Sequence, residues 1–273
     1  MMPCFTSMVW IRPLWVLVLW TPVAATQSGL EAGPTKPPSE RDLVRAFEQA
    51  FASLHEQERL AAVHCLDNES RAIEGLRGSG DIATALARGL GDPSSLVVDA
   101  TIEALRDGRH PARAVRALAD FVTARCHQVR DVAMLPTDPG SADTLRAIQS
   151  PLPAAMDAIA GYRSADGLQV LCDELRRFGY EAIFTWVKLK DLQLHLIDAI
   201  LSHRCAPAFD AVIEHMATCP STEGLRPRLF EVSQKLRALS FELGLEPVGF
   251  PENIASAWRD WFRKNEGKIP RRP

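Results

Sequence analysis

The sequence predicts an all-α fold in which antiparallel helical pairs stack as a right-handed α-solenoid, closed by an atypical C-terminal helix. Three observations lead there. Past residue 39, apolar residues recur at helical spacing almost throughout, and alternating β-branched runs are absent. One pattern of small and large apolar residues then returns along the chain at a near-constant interval. Aromatic residues are only 7% of the chain, so the core is built mainly from Ala, Leu, Val and Ile. The length of 273 residues and the 47% hydrophobic content allow a substantial core and exclude wholesale disorder, a collagen-like repeat or a coiled-coil rod. A net charge of −3 gives no global reason to expect nucleic acid as a partner.

The first element is an address. Arg12 precedes the apolar run Leu14-Trp15-Val16-Leu17-Val18-Leu19-Trp20, and Thr21-Pro22-Val23-Ala24-Ala25 follows. A basic residue, a short apolar stretch and small residues describe a secretory signal peptide over 1–25, with cleavage after Ala25. The run is shorter than the roughly 20 apolar residues of a spanning helix. The mature chain is therefore expected to be exported, periplasmic or secreted, without a membrane contact. Residues 26–38 are polar and rich in Pro and Gly, which predicts a flexible linker. Cys4 leaves with the signal; Cys65, Cys126, Cys172, Cys205 and Cys219 remain, an odd number with no Cys-x-x-Cys pair. Most fall at apolar helical positions, where Cys acts as a small hydrophobe. Cys205 and Cys219 are the nearest candidates for a disulfide, which a chain of this size does not need.

The helical pairs begin at residue 39. In one, Asp92 caps, Pro93 suits a first turn, and Val98, Ile102 and Leu105 form a stripe. After Asp107-Gly108-Arg109-His110, the segment from Pro111 to Cys126 places Val115, Leu118, Val122 and Cys126 on one face. Arg113, Arg116, Asp120 and Thr123 take the other, with Arg116 and Asp120 spaced to pair. Aligning the first helices on their closing residue puts Ala62, Cys65 and Leu66 in register with Thr101, Ala104 and Leu105. Ala155, Ala158 and Ile159 follow, then Leu196, Ala199 and Ile200, then a weaker Val232, Lys235 and Leu236. The closing positions 66, 105, 159, 200 and 236 are 39, 54, 41 and 36 residues apart. The long gap holds a turn-rich insertion at 128–150 containing Pro136 and Pro139-Gly140.

These residues resemble the HEAT-repeat family, whose first helix commonly reads V-R-x-x-A-x-x-A-L after an Asp-Pro turn. The resemblance covers 39–250. The family arginine stands at Arg59, whereas the matching positions hold Val98, Leu152 and Gln193. It implies that small Ala positions let neighbouring helices approach and that second helices line a concave face.

The last element, 251–273, is a capping helix with a basic tail. Ile254, Ala257, Trp258, Trp261 and Phe262 share a face, and a terminal repeat needs such cover. The run from Trp258 to Asn265 resembles the tail of exported bacterial HEAT-like proteins. A carbohydrate or partner platform is the other reading of the paired Trp. Lys268, Arg271 and Arg272 read as a solvated tail.

Signals for chemistry are sparse. His203, Cys205, His215 and Cys219 form the most metal-like set, but their spacing matches no standard zinc finger and Pro207 divides it. The chain has no phosphate loop, no Gly-x-Ser-x-Gly and no His-Glu-x-x-His. Asp173, Glu174 and Asp198 read as solvated helical acids. The expectation is a noncatalytic scaffold, with no cofactor, no nucleic acid and no bound metal. It takes a protein or peptide partner on second helices near 81–90, 111–126, 165–178 and 206–217. Arg88, Arg113, Arg116, Asp120, Gln169, Asp173, Arg176 and Asp210 are the candidate contacts, since mixed charge with several Arg suits peptide recognition. A lyase-like or hydrolytic enzyme on a helical-repeat frame and a zinc-stabilised module remain as alternatives.

Overall fold

The computed structural model describes residues 37–273, apart from 74, 77, 107–109, 134–138, 179–185, 219–225 and 250–252. The expected signal peptide, all but the end of the linker, and Cys219 lie outside the described residues. Within them every regular element is helical and there is no strand. The helices are α1 Glu40–Phe51, α2 Glu56–Ala72, α3 Gly80–Ala87, α4 Ser95–Arg106, α5 Pro111–Ala133 and α6 Pro139–Gln149. Then come α7 Leu152–Gly161, α8 Ala165–Arg177, α9 Trp186–Leu201, α10 Ala206–Ala217, α11 Arg226–Glu242 and α12 Ile254–Asn265.

Local chemistry sets several starts. The first N–H groups of a helix have no internal acceptor, and short polar side chains supply one. Ser39 and Asp42 form a reciprocal capping box on α1, Ser79 caps α3, and Ser164 takes the Gly167 N–H of α8. Asn253 caps α12 through Ser256 N–H, so that helix begins later than Pro251, where the sequence suggested. Asp92 Oδ1 accepts from Ser94 N–H at 2.8 Å just ahead of α4.

Packing follows chain order in two rows. In the first, α2 packs on α4, α4 on α7, α7 on α9 and α9 on α11. In the second, α1 packs on α3, α3 on α5, α5 on α8, α8 on α10 and α10 on α12. The rows touch through the two helices of each hairpin, such as α8 with α7 and α9 with α10. One apolar cluster runs between them, from Phe47 to Ile269. The closing residues Leu66, Leu105, Ile159, Ile200 and Leu236 are all buried, one on each first-row helix. Small neighbours at Ala62, Ala104, Ala155, Ala158 and Ala199 are buried with them, whereas Cys65 is exposed.

Two elements differ from the sequence reading. The second helix near 81–90 stops being α-helical at Ala87 and tightens into a 3-10 turn over Arg88–Gly91. There Gly89 meets Thr101 of α4 so closely that a Cβ would overlap the Thr101 hydroxyl. The insertion is largely helical: α5 runs on to Ala133, and α6 packs on both α5 and α7. The reason lies in the continuing stripe, because Val129 is as buried as Val122 and Cys126, and Leu145 supplies the apolar contact of α6.

Candidate functional site

The second row carries the predicted contacts, and the structure gives them unequal roles. Arg88 pairs with Glu48 of α1 at 2.9 Å. Arg113 of α5 reaches Asp81 and the Thr84 hydroxyl of α3, each at 3.1 Å. On α8, Asp173 accepts from Gln169 at 2.9 Å and from Arg176 at 2.7 Å. Five of the eight residues therefore have internal partners. Arg116 and Asp120 are exposed, and despite their spacing they form no ion pair among the described residues. Asp210 of α10 is exposed too. Partial burial, then Glu214 and Glu266, raise its pKa against the opposing pull of Arg176 and Arg259.

Beneath this face lies a charged cluster that sequence reasoning treated as solvated. Glu174 is completely buried. Its oxygens take Arg130 of α5 at 3.0 Å and Arg177 at 2.5 Å. The Arg130 guanidinium also sits 5.6 Å from the centre of the Phe178 ring. Burial, with Glu174 adding to it, pushes the Cys126 thiol up to about 12, so this cysteine is an inert core residue. The signal that could have found Glu174 is periodicity: it falls on the α8 face that buries Leu171 and Leu175. Its partner Arg130 lies 44 residues away, which no local pattern reveals.

Arg59 gains a partner that the sequence reading had assigned only to capping. Its Nε meets Asp92 Oδ2 at 2.6 Å and its Nη2 meets Oδ1 at 3.0 Å, while Nη1 donates to the carbonyls of Ser53 and Leu54. At the matching positions Val98 and Leu152 are buried apolar contacts, and the Gln193 amide donates to His215 Nε2 at 2.7 Å.

The metal-like set does not assemble among its described members. No group of three or more His, Cys, Asp or Glu is placed to hold a metal ion among the described residues, and Cys219 is not one of them. His203 and Cys205 are buried beside the α9–α10 turn, and the Cys65, Cys126, Cys172 and Cys205 thiols are free. No described helix is long and apolar enough to cross a membrane.

The tryptophans of α12 face inward. Trp258 is completely buried and donates to Ser233 Oγ at 2.8 Å; Trp261 donates to the Glu246 carbonyl at 2.6 Å. Their rings meet edge-on at 5.1 Å, and Trp261 lies 5.8 Å from Phe209 of α10. Satisfied indole N–H groups and buried rings make a cover for α10 and α11, which leaves the platform reading without an exposed ring face.

Compared with models of protein families, with curated proteins and with solved structures, the sequence finds no match in any of the three.

Proposed function

We propose that the protein is an exported, noncatalytic interaction scaffold: a right-handed solenoid of HEAT-like pairs that takes a protein or peptide partner along its second helices. The strict chain order of packing in both rows supports the solenoid, since a common-centre bundle would bring distant helices together. The observation that carries the binding role is the exposed stripe of α5. Arg116 and Asp120 have no ion-pair partner there among the described residues, at the middle of the second row, while Arg88, Arg113 and Arg176 are already engaged. An exposed guanidinium and an exposed carboxylate one turn apart suit a partner offering the complementary pair at similar spacing.

Crosslinking in native cells followed by mass spectrometry tests the role. Crosslinks from one partner should centre on α5, and the double reversal Arg116→Glu with Asp120→Arg should remove them while leaving the thermal midpoint unchanged. Crosslinks that survive the reversal, or that map to the first row, would overturn it. The export reading rests on Leu14 to Trp20 and the small residues after it. N-terminal sequencing of the exported fraction should begin at Thr26; a cytosolic chain beginning at Met1 would count against it.

A further inference from the structure

His203 lies in the turn between α9 and α10, only 3% exposed. Neither of its ring nitrogens meets a donor or acceptor among the described residues. A buried polar group without partners is held by packing alone, and it calls for an explanation. The turn has a counterpart 41 residues earlier, between α7 and α8. Arg163 and Arg204 both adopt left-handed backbone there, with φ of 48° and 53°. Ser164 and Cys205 then start the next helices. Tyr162 holds the place of His203, and its hydroxyl donates to the Leu105 carbonyl on the preceding first-row helix. The shorter imidazole finds no such acceptor.

Among the described residues, His203 meets no group that would hold a protonated ring. The charge that bears on it is Arg163, from the preceding turn. Arg204 beside it is engaged with Glu242 at 2.6 Å, and Glu266 acts on Asp210 instead. The same turn fastens the end of the chain. Cys205 gives α10 no side-chain cap, and the Ala206 N–H donates to the carbonyl of Pro270 at 2.7 Å. Ile269, next to it, is buried. The C-terminal strap is thus bonded three residues from the unpartnered ring.

We propose that the Ser202–Cys205 turn is an acid-sensitive latch, in which protonated His203 leaves its buried site and the Ile269-Pro270 strap comes off the first turn of α10. Neutral His203 permits the closed turn, and an imidazolium that feels the Arg163 charge, with no carboxylate offsetting it among the described residues, opposes it. Burial first, and Arg163 second, lower its pKa from 6.5 to about 4. Opening that releases the ring to water is then favoured roughly 20-fold more at about pH 5 than at neutral pH.

Hydrogen exchange on the full chain, corrected for the intrinsic pH dependence of exchange, reads the latch. Between neutral pH and about pH 5, residues 202–206 and 266–273 should lose protection by an order of magnitude while α2 to α7 keep theirs. His203→Phe should abolish that local response. Should this variant fail to fold, Arg163→Gly keeps the histidine, suits the left-handed turn and removes the repelling charge, so the response should shrink. Unchanged protection of the two segments in acid, loss of protection everywhere at once, or an equal response in His203→Phe or Arg163→Gly would overturn the latch.

Discussion

At Asp92 one carboxylate serves two neighbouring helices, accepting from Arg59 of α2 through both oxygens and from the Ser94 N–H just ahead of α4. Burial pulls its pKa up, yet the Arg59 and Ser94 hydrogen bonds and the arginine charge bring it below the model-peptide value of 3.8. A carboxylate lowered in the fold stabilises it above that unfolded value, and the contribution is lost as pH falls through the folded value. His203 and His215 act in a different window. Both are lowered to about 4, His215 by burial, so the unfolded chain binds protons first and stability falls from pH 6.5 towards 4. Urea unfolding across pH should therefore show two declining stretches. His203→Phe should flatten the upper one, and Asp92→Asn the lower. Glu174→Ala should cost about 3 kcal/mol, because it leaves Arg130 half-covered against Phe178 without its counter-ion; a loss under about 1 kcal/mol in chemical denaturation would mean that the cluster is well hydrated. Gly89→Ala should lower the midpoint, and Thr101→Ala should relieve part of the damage, since the threonine side chain occupies the space.

Among the elements, what periodicity could read was read well. The stripes of α4 and α5 bury the residues that their spacing nominated, and the indoles of α12 turn inward as a cap requires. Ala158 illustrates why: it is completely buried on α7, the helix that packs between α4 and α9. Ala158→Arg should therefore lower the thermal midpoint sharply, by the several kcal/mol that an unpaired buried charge costs; an unchanged midpoint would refute this register. What sequence could not show is which helix continues and which charges meet. The turn signals at Pro136 and Pro139 suggest a turn-rich insertion, yet Val129 and Leu145 carry enough apolar contact to extend α5 and build α6. Of the candidate contacts, Arg88 and Arg113 find their acids on neighbouring helices, at separations no local pattern encodes. Deleting residues 268–273 should lower stability, because Ile269 leaves the core and the Ala206 N–H loses its acceptor.

Across the molecule as a whole, helices touch their sequence neighbours in each row. Stability is then expected to follow nearest-neighbour interfaces, and a partner would read the second row as a continuous strip rather than a pocket. The proposed partner and scaffold role hang on that arrangement having a long accessible face. Its most direct test is a distance. Cys65 is exposed on α2 and Ala238 is exposed on α11, at the two ends of the first row, while Cys126, Cys172 and Cys205 are buried. Spin labels at Cys65 and at Ala238→Cys, measured by double electron–electron resonance, should lie roughly 30–40 Å apart, as four helix-to-helix steps of 8–10 Å require. A distance below about 20 Å would place the ends around a common centre and contradict the single-file arrangement.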